Sequence, residues 1–487
     1  MTIELLMKGT FAMIYSIVMA WVVVDRDPVG SVDNSRQRYL PYIPGNLLPV
    51  CMLTYMVCLL TFAGIGTAAR MTLAFCFSVF LHICLYDLLL MPALPFLRRH
   101  ISARACAMLW MIPNYLYLTQ MNYMRLPAPR WVIEAPSALV GVLLAVWLAG
   151  FLAVLGWKIV SHLVFRARIL REAAPVTDLA VLAVWSQEME AARFKNPKFE
   201  LVMSPAVSTP LSVGLFARSV RVVLPRREYT GGELALLFRH ELVHIGRGDA
   251  WNKFFLVFCT AMCWFNPLMW LAMRRSSEDL ELSCDETVLL DCDGGVKRQY
   301  AALLLKTAGD ERGFTTCLSA SADALRYRLK SVVKPKEKHS GALAVGLVFF
   351  LLCMSCGYVA LAYGGDTGAE LLYHSRPPEQ YTLYSVNWDG GSAGDVPADP
   401  AALHRYLSTL RMQHIGGNYS FDEGGRALDL VFDAPDGMFV VTLSDRFIWL
   451  TPLGRAVSEY YYLPDGTDWN ALNLYIFGGE EKSVFID

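Results

Sequence analysis

The chain has 487 residues, of which 55% are hydrophobic and 18% charged, and its mean hydropathy is positive. That balance excludes an ordinary soluble enzyme and points to a polytopic membrane protein. A formal net charge of −1 gives no basis for direct nucleic-acid binding.

Six stretches are apolar over about the 20 residues needed to cross a hydrocarbon core. They are 3–24, 47–69, 71–94, 105–122, 136–160 and 341–363. The first has no small-residue cleavage site behind a short apolar core, so it reads as a retained span. The resulting plan puts two extra N-terminal spans in 1–70 and three core spans in 71–163. A cytoplasmic domain fills 164–340, a last span 341–363, and a linker with an exported domain 364–487.

Orientation follows from the basic residues. Arg98, Arg99 and Arg104 separate two spans, Arg166, Arg168 and Arg171 follow another, and Lys330, Lys334, Lys336 and Lys338 precede the last. Alternation puts all three clusters on one side, and the positive-inside rule makes that side cytoplasmic. From residue 364 onward there are 18 Asp and Glu against 7 Lys and Arg, whereas the remainder carries 26 against 36. An acidic exported tail and a basic interior fit that orientation. All twelve cysteines fall at or before Cys356, so the tail holds no disulfide framework. The thiols of "CMSC" in the last span read as packing groups.

In the cytoplasmic part, "REAAPVTDLAVLAVWSQEMEAARF" has a helical pattern. "FELVMSPAVSTPLSVGLFARSVRVVLP" reads as short strands and turns. Thr230 and Glu233 form a capping-box signature ahead of a helix with natural stops at Gly246 and Gly248. A second helix starts at Asn266 and Pro267 and runs through "RRSSEDLELSCDETVLL". In the tail, "GGDTGAELLYHSRPPEQ" reads as a linker, "DPAALHRYLSTLRM" as a helix and "RALDLVFDAPDGMFVVTLSDRFIWLTP" as hairpin strands. The exported domain is therefore a small α+β unit. Its "FIWL" and "EYYYLP" stripes read as core.

His240 and His244, four residues apart, put two imidazoles on one helical face. Glu241 lies between them, where a carboxylate can take a proton from water activated by a metal ion. A catalytic zinc needs a third protein ligand, for which Glu281 is the candidate. Asp285, one turn further on, is placed to accept a hydrogen bond from a ligand imidazole. The bland alternative is that "EDLELSCDE" is a solvated acidic face. Its interleaving with Leu280, Leu282 and Cys284 favours the metal reading.

With these residues in view, the sequence resembles the BlaR/MecR type of membrane zinc peptidase, the sensor-transducers of β-lactam resistance and their relatives. "PAVSTPLSVGLFARSVRVVLP", "HELVHIGRGD", "WFNPLMWLAMRR", "ELSCDETVL" and "YAALLL" stand in that family's order, and "RRHISARACAMLW" is similar to the turn between its first two core spans. The likeness covers roughly residues 70–360. It implies zinc bound by His240, His244 and Glu281, Glu241 as catalytic base and Asp285 in support. The implied fold is a polytopic helical membrane protein with a mainly helical, zincin-like cytoplasmic peptidase domain and a small extracytoplasmic α+β domain. It implies a bacterial cell membrane and cleavage in the cytoplasm after an external event, of a protein such as a transcriptional repressor or of the chain itself. Membrane lipid and a second copy of the chain are the other expected partners.

The tail is far shorter than a penicillin-binding domain and contains no S-x-x-K, so covalent β-lactam sensing is not expected. The two extra N-terminal spans have no counterpart in the family. Two other functions stay open: a receptor or scaffold of the same fold that releases a partner without cleavage, and a transporter, suggested only by span count and by His82 and Asp87. Arg247 and Asp249 read equally as groove residues or a surface ion pair. Finally, if 251–273 crossed the bilayer, Glu281 would lie about 30 Å from the histidines. The segment is therefore expected to turn back at "FNP" as a membrane-associated hairpin.

Overall fold

The computed structural model describes residues 3–24, 47–119, 126–127, 129–192, 194, 199–290, 292–307, 322–334, 338–355, 357–388, 391–393, 397–416, 419–420, 426–452 and 458–479. Lys336 and Cys356, singled out above, lie outside them.

The chain opens with α1 (Ile3–Val24) and α2 (Leu47–His100). Although continuous, α2 doubles back on itself. Thr72 Oγ1 meets Met56 Sδ at 3.1 Å, and the Tyr55 and Phe75 rings lie 6.2 Å apart, where a straight helix would separate the rings by about 30 Å. Gly64 and Gly66 lie in the intervening stretch. The limbs fall on the stretches 47–69 and 71–94, of which the second overlaps an apolar run long enough to cross a membrane, Phe75–His100, and the first contains a shorter one, Pro49–Phe62.

Next come α3 (Ala103–Met111), a 3-10 turn at Ile112–Tyr115 and α4 (Leu116–Thr119). The stretch expected as one span, 105–122, is a helix broken by a 3-10 turn at Ile112–Tyr115, in which Pro113 stands. The segment's uniform apolarity has another cause, since every residue from Ala105 to Tyr117 is buried in protein. Two strands, β1 (Leu126–Pro127) and β2 (Trp131–Ala135), lead into the 35-residue α5 (Ser137–Arg171). Among the described residues three helical stretches are long and apolar enough to cross a membrane: Leu6–Val24, Phe75–His100 and Val140–Arg171. Along α5, Val142, Leu143, Val146 and Leu152 are exposed, as a face turned to lipid would be.

Beyond α5, β3 (Ala174–Pro175), β4 (Glu200–Ser204), β5 (Leu211–Val213) and β6 (Arg221–Pro225) form a sheet in the order β3-β4-β6-β5. The part between α5 and the last apolar helix is thus mixed α and β. The sheet packs on α6 (Leu179–Ala191) and α7 (Gly231–Arg247) through Trp185, Val222, Leu224, Phe238 and Leu242. Then follow α8 (Asp249–Met262), α9 (Pro267–Val288), α10 (Gly294–Thr307) and α11 (Ala322–Val333).

The helices α8 and α9 make the expected hairpin, with the Asn266 side chain accepting from the Leu268 amide and Pro267 at the start of α9. The hairpin inserts among the apolar helices instead of lying beside them. At its tip Trp264 Nε1 donates to the Trp147 carbonyl and Trp147 Nε1 to the Met262 carbonyl, while Phe265 packs edge-on against Phe80. Gly150 makes room for the tip, since a Cβ there would collide with the Trp264 indole.

The expected last span, 341–363, is also corrected. Helix α12 (Ala342–Ser355) has 14 residues and packs against α1, and β7 (Val359–Thr367) follows. The "linker" that opens at Gly364 starts inside this strand. The remaining elements are α13 (Gly368–Leu371), β8 (Thr382–Trp388), β9 (Gly391–Ala393), α14 (Pro400–Thr409), β10 (Arg411–Ile415), β11 (Tyr419–Ser420), β12 (Ala427–Asp433), β13 (Phe439–Ser444), β14 (Phe447–Pro452), β15 (Glu459–Tyr462) and α15 (Trp469–Phe477). A nine-stranded sheet runs β2-β7-β10-β15-β14-β13-β12-β8-β9. Eight strands come from the tail. The ninth, β2, pairs parallel with β7, Trp131 opposite Val359 through Ala135 opposite Tyr363. Alternation buries Leu428, Leu430 and Phe432 against α14 and α15.

Candidate metal centre

Helix α7 begins and ends where its sequence signals lie. The Thr230 side chain accepts from the Glu233 amide and Glu233 reaches back to the Thr230 amide, while Gly248 ends the helix in the left-handed region at φ 66°. A side chain at Gly248 would be strained there. Because of this turn, α8 starts at once with Asp249 folded back under His244.

The two imidazoles face each other, His240 Nε2 lying 3.1 Å from His244 Nε2. Glu281 on α9 brings Oε2 to 3.6 Å from both. Its other oxygen, Oε1, is 3.3 Å from Lys253 Nζ. Three donor atoms this close can share one ion at bond lengths of about 2 Å. Glu241 is buried, and its Oε2 has no hydrogen-bond partner among the described residues. An unpartnered buried carboxylate oxygen beside a donor triangle fits a metal centre that activates water.

The far side of each imidazole is held by a different group. His244 Nδ1 donates to Asp249 Oδ2 at 2.6 Å, and Asp249 is fully buried with Arg247 beside it at 3.3 Å. The Tyr300 hydroxyl donates to Asp285 Oδ1 at 2.6 Å, which leaves its oxygen to accept from His240 Nδ1 at 2.9 Å. Both contacts put the imidazole proton on Nδ1 and free Nε2 for a metal. Asp285 lies 3.7 Å from His240 and reaches it through Tyr300. Arg328 fastens Asp285 with hydrogen bonds of 2.6 and 2.7 Å.

Cys284 stands in the same cluster, and His240, His244 and Cys284 together could hold an ion. Its Sγ lies 3.4 Å from His240 Nδ1 and 3.5 Å from the His240 carbonyl. Cys284 thus meets His240 on its Nδ1 side, whereas Glu281 Oε2 lies against the paired Nε2 atoms.

Burial opposes charge on His240, but Cys284 and Glu281 outweigh it and raise its pKa to about 10. Burial likewise opposes charge on Glu281, yet His244 and Lys253 hold it well below the usual carboxylate range. Without an ion these neighbours favour protonated imidazoles, whose protons a metal must displace to bind.

Residues 96–332 match the model of the BlaR1 peptidase M56 family. The regulatory protein BlaR1 of Bacillus licheniformis is 27% identical to this chain over 186 residues, which cover 38% of this chain and 30% of that protein. These findings support a BlaR/MecR-type peptidase. The alignment spans less than a third of the relative's length.

The structure brings His240, His244, Glu281 and Asp285 into one cluster, with Glu241 buried beside His240 in the chain. Sequence reasoning left Asp249 unassigned and missed Tyr300 and Arg328. Tyr300 opens the "YAALLL" motif, so a signal existed, but it did not say which imidazole the hydroxyl would meet. His82 and Asp87 stand apart from the metal centre. His82 bridges the carbonyls of Ser78 and Ser355, and neither oxygen of buried Asp87 has a partner among the described residues.

Proposed function

We propose that this chain is a membrane-embedded zinc endopeptidase that converts an extracytoplasmic event into cytoplasmic proteolysis, of a transcriptional repressor or of itself. The observation that carries this reading is the triangle of His240 Nε2, His244 Nε2 and Glu281 Oε2, with Glu241 buried next to His240 on α7 and its Oε2 without a partner among the described residues. Zinc held there would supply Lewis-acid activation of water and of the scissile carbonyl. Glu241 accepts the proton of the attacking water and returns it to the leaving amine. Asp249 and the Tyr300–Asp285 pair keep the imidazoles in the tautomer that leaves Nε2 free, and Lys253 turns Oε2 of Glu281 toward them.

The proposed arrangement places 164–340 in the cytoplasm, the nine-stranded sheet outside and the apolar helices between, in a bacterial cell membrane. Two connections support transduction. One is the direct run of β2, paired within the outer sheet, into α5, which reaches the peptidase domain where the Ser204 hydroxyl donates to the Ile169 carbonyl at 2.8 Å. The other is α9, fixed to the α2–α3 corner on either side of Glu281. Asp279 receives Arg98 and Trp110, and Glu286 receives the Ala103 amide. Self-association is part of the reading only as an expectation carried from the sequence.

The test compares wild type with Glu241→Gln in cells, following zinc content and cleaved fragments by mass spectrometry. Retained zinc with fragments and signalling both lost is the expected result. Signalling that survives without cleavage would replace the peptidase with a scaffold that releases its partner.

A further inference from the structure

We propose that the cleft where α2, β2 and the nine-stranded sheet meet binds a membrane lipid through an anionic phosphate headgroup. The cleft has a volume of about 450 Å³, and its walls include Leu81, Trp131, Ile133, Phe447 and Tyr462. Arg130 and Arg446 line the same space. Their guanidinium groups sit 5.2 Å over the Tyr358 ring and 5.5 Å over the Tyr462 ring, and both residues are exposed. Neither has a carboxylate partner among the described residues. Two arginines without a carboxylate partner among the described residues offer paired N–H donors to phosphate oxygens. The aromatic and aliphatic wall beside them suits an acyl chain.

The position of the cleft favours a lipid over a soluble anion. Leu81 belongs to the apolar stretch Phe75–His100, and β2 runs into the helix whose apolar stretch begins at Val140. Trp131 is 72% exposed and Ile133 45% exposed on this strand. Tryptophan and arginine at the end of an apolar helix are the composition of a membrane–water interface, where the ring and the cation sit at headgroup level. The tail that supplies Arg446 is strongly acidic overall, so Arg446 and the neighbouring Arg130 make a local exception on a surface that otherwise repels anionic lipid. A soluble phosphate would leave the apolar wall unused. The volume lies within the range of ligand sites and fits a headgroup with the start of its chains.

The proposal rests on reading the apolar helices as spans, so membrane integration is scored separately by floating each protein with liposomes. The purified full-length chain is then titrated with phosphatidylglycerol or phosphatidylcholine and examined by native mass spectrometry, with inorganic phosphate as competitor. Wild type is expected to retain phosphatidylglycerol preferentially, and excess inorganic phosphate is expected not to displace it. The R130Q/R446Q variant should bind it about tenfold more weakly or worse, and R130K/R446K should recover part of the loss. If the glutamine variant misfolds, the lysine variant carries the comparison, because weaker point-charge binding is still expected of it. Undiminished retention by both variants overturns the proposal. Displacement by inorganic phosphate also overturns it and assigns the cleft to soluble phosphate.

Discussion

The indole of Trp110 on α3 donates to Asp279 Oδ2 on α9 at 2.8 Å, deep inside the molecule. Asp279 is fully buried, and its other oxygen accepts from Arg98 Nε at 2.7 Å. This contact ties the corner between two apolar helices to a point just ahead of Glu281. Removing one partner of a buried ion pair leaves the other uncompensated, at a cost of roughly 3–5 kcal/mol. Asp279→Ala is therefore expected to lower the thermal unfolding midpoint in detergent clearly, and to reduce zinc content through misplacement of Glu281. An unchanged midpoint and full zinc content would remove Asp279 from the account.

The hydrogen bond from His244 to Asp249 makes a separate prediction. Partners that orient a ligand imidazole typically contribute 10- to 100-fold to metal affinity. Asp249→Asn should weaken zinc binding by about that factor in competition with a fluorescent chelator. Tyr300→Phe should weaken it by less, because Cys284 remains against the same face of His240. Equal affinities for wild type and Asp249→Asn would show that the tautomer is set by something else.

Activity should separate from metal binding at Glu241. General acid–base catalysis is worth about 10² to 10⁴ in rate. Glu241→Gln should lose at least the lower figure while keeping zinc, whereas His240→Ala and Glu281→Ala should lose both. Dialysis against a chelator should reproduce the alanine variants and be reversed by added zinc.

Gly150 tests the inserted hairpin. Any larger side chain there meets the Trp264 indole, so Gly150→Leu should push the α8–α9 tip away from α5. The expected readout is faster limited proteolysis near Trp264, with membrane integration unchanged. Proteolysis at the wild-type rate would place the tip elsewhere.

At the start of α7, Thr230→Ala should destabilise the helix by about 1 kcal/mol, the usual worth of such a cap. The Glu233 carboxyl is lowered from its ordinary value of 4.5, first by the Thr230 amide and then by Lys306. A carboxyl depressed in the folded state stabilises it above the ordinary value and loses that effect as pH falls through the folded one. The Glu233 contribution should therefore be full at neutral pH and fade below about pH 4. Wild type and Glu233→Gln should converge there in acid unfolding.

Much of the local structure was legible because its determinants are local. The Thr230–Glu233 box, the Asn266–Pro267 start and the Gly248 stop act within one turn of backbone, and each element begins or ends where those residues stand. Span length was read less well. Apolarity over 105–117 reports burial by protein neighbours, whereas in 341–363 the helix stops at Ser355 and its Leu343, Leu347 and Leu351 stay exposed. The linker reading failed for a related reason: Gly364 to Thr367 has a turn-like composition, yet its backbone is paired with β10 across the sheet.

By itself the sequence determined the chemistry on offer. Two imidazoles and a carboxylate one helical turn apart, a second acidic helix and the need for the chain to turn back between them all follow from spacing and charge. Tertiary structure alone decided which groups hold that chemistry in place. Asp249 reaches His244 because a left-handed glycine folds one helix under another, and Tyr300 and Arg328 arrive from distant elements. It also decided that β2, far away in the chain, completes the nine-stranded sheet. The reason is physical: helical periodicity and capping are short-range, whereas a hydrogen bond between remote segments depends on how whole elements pack, and no local pattern encodes that partner.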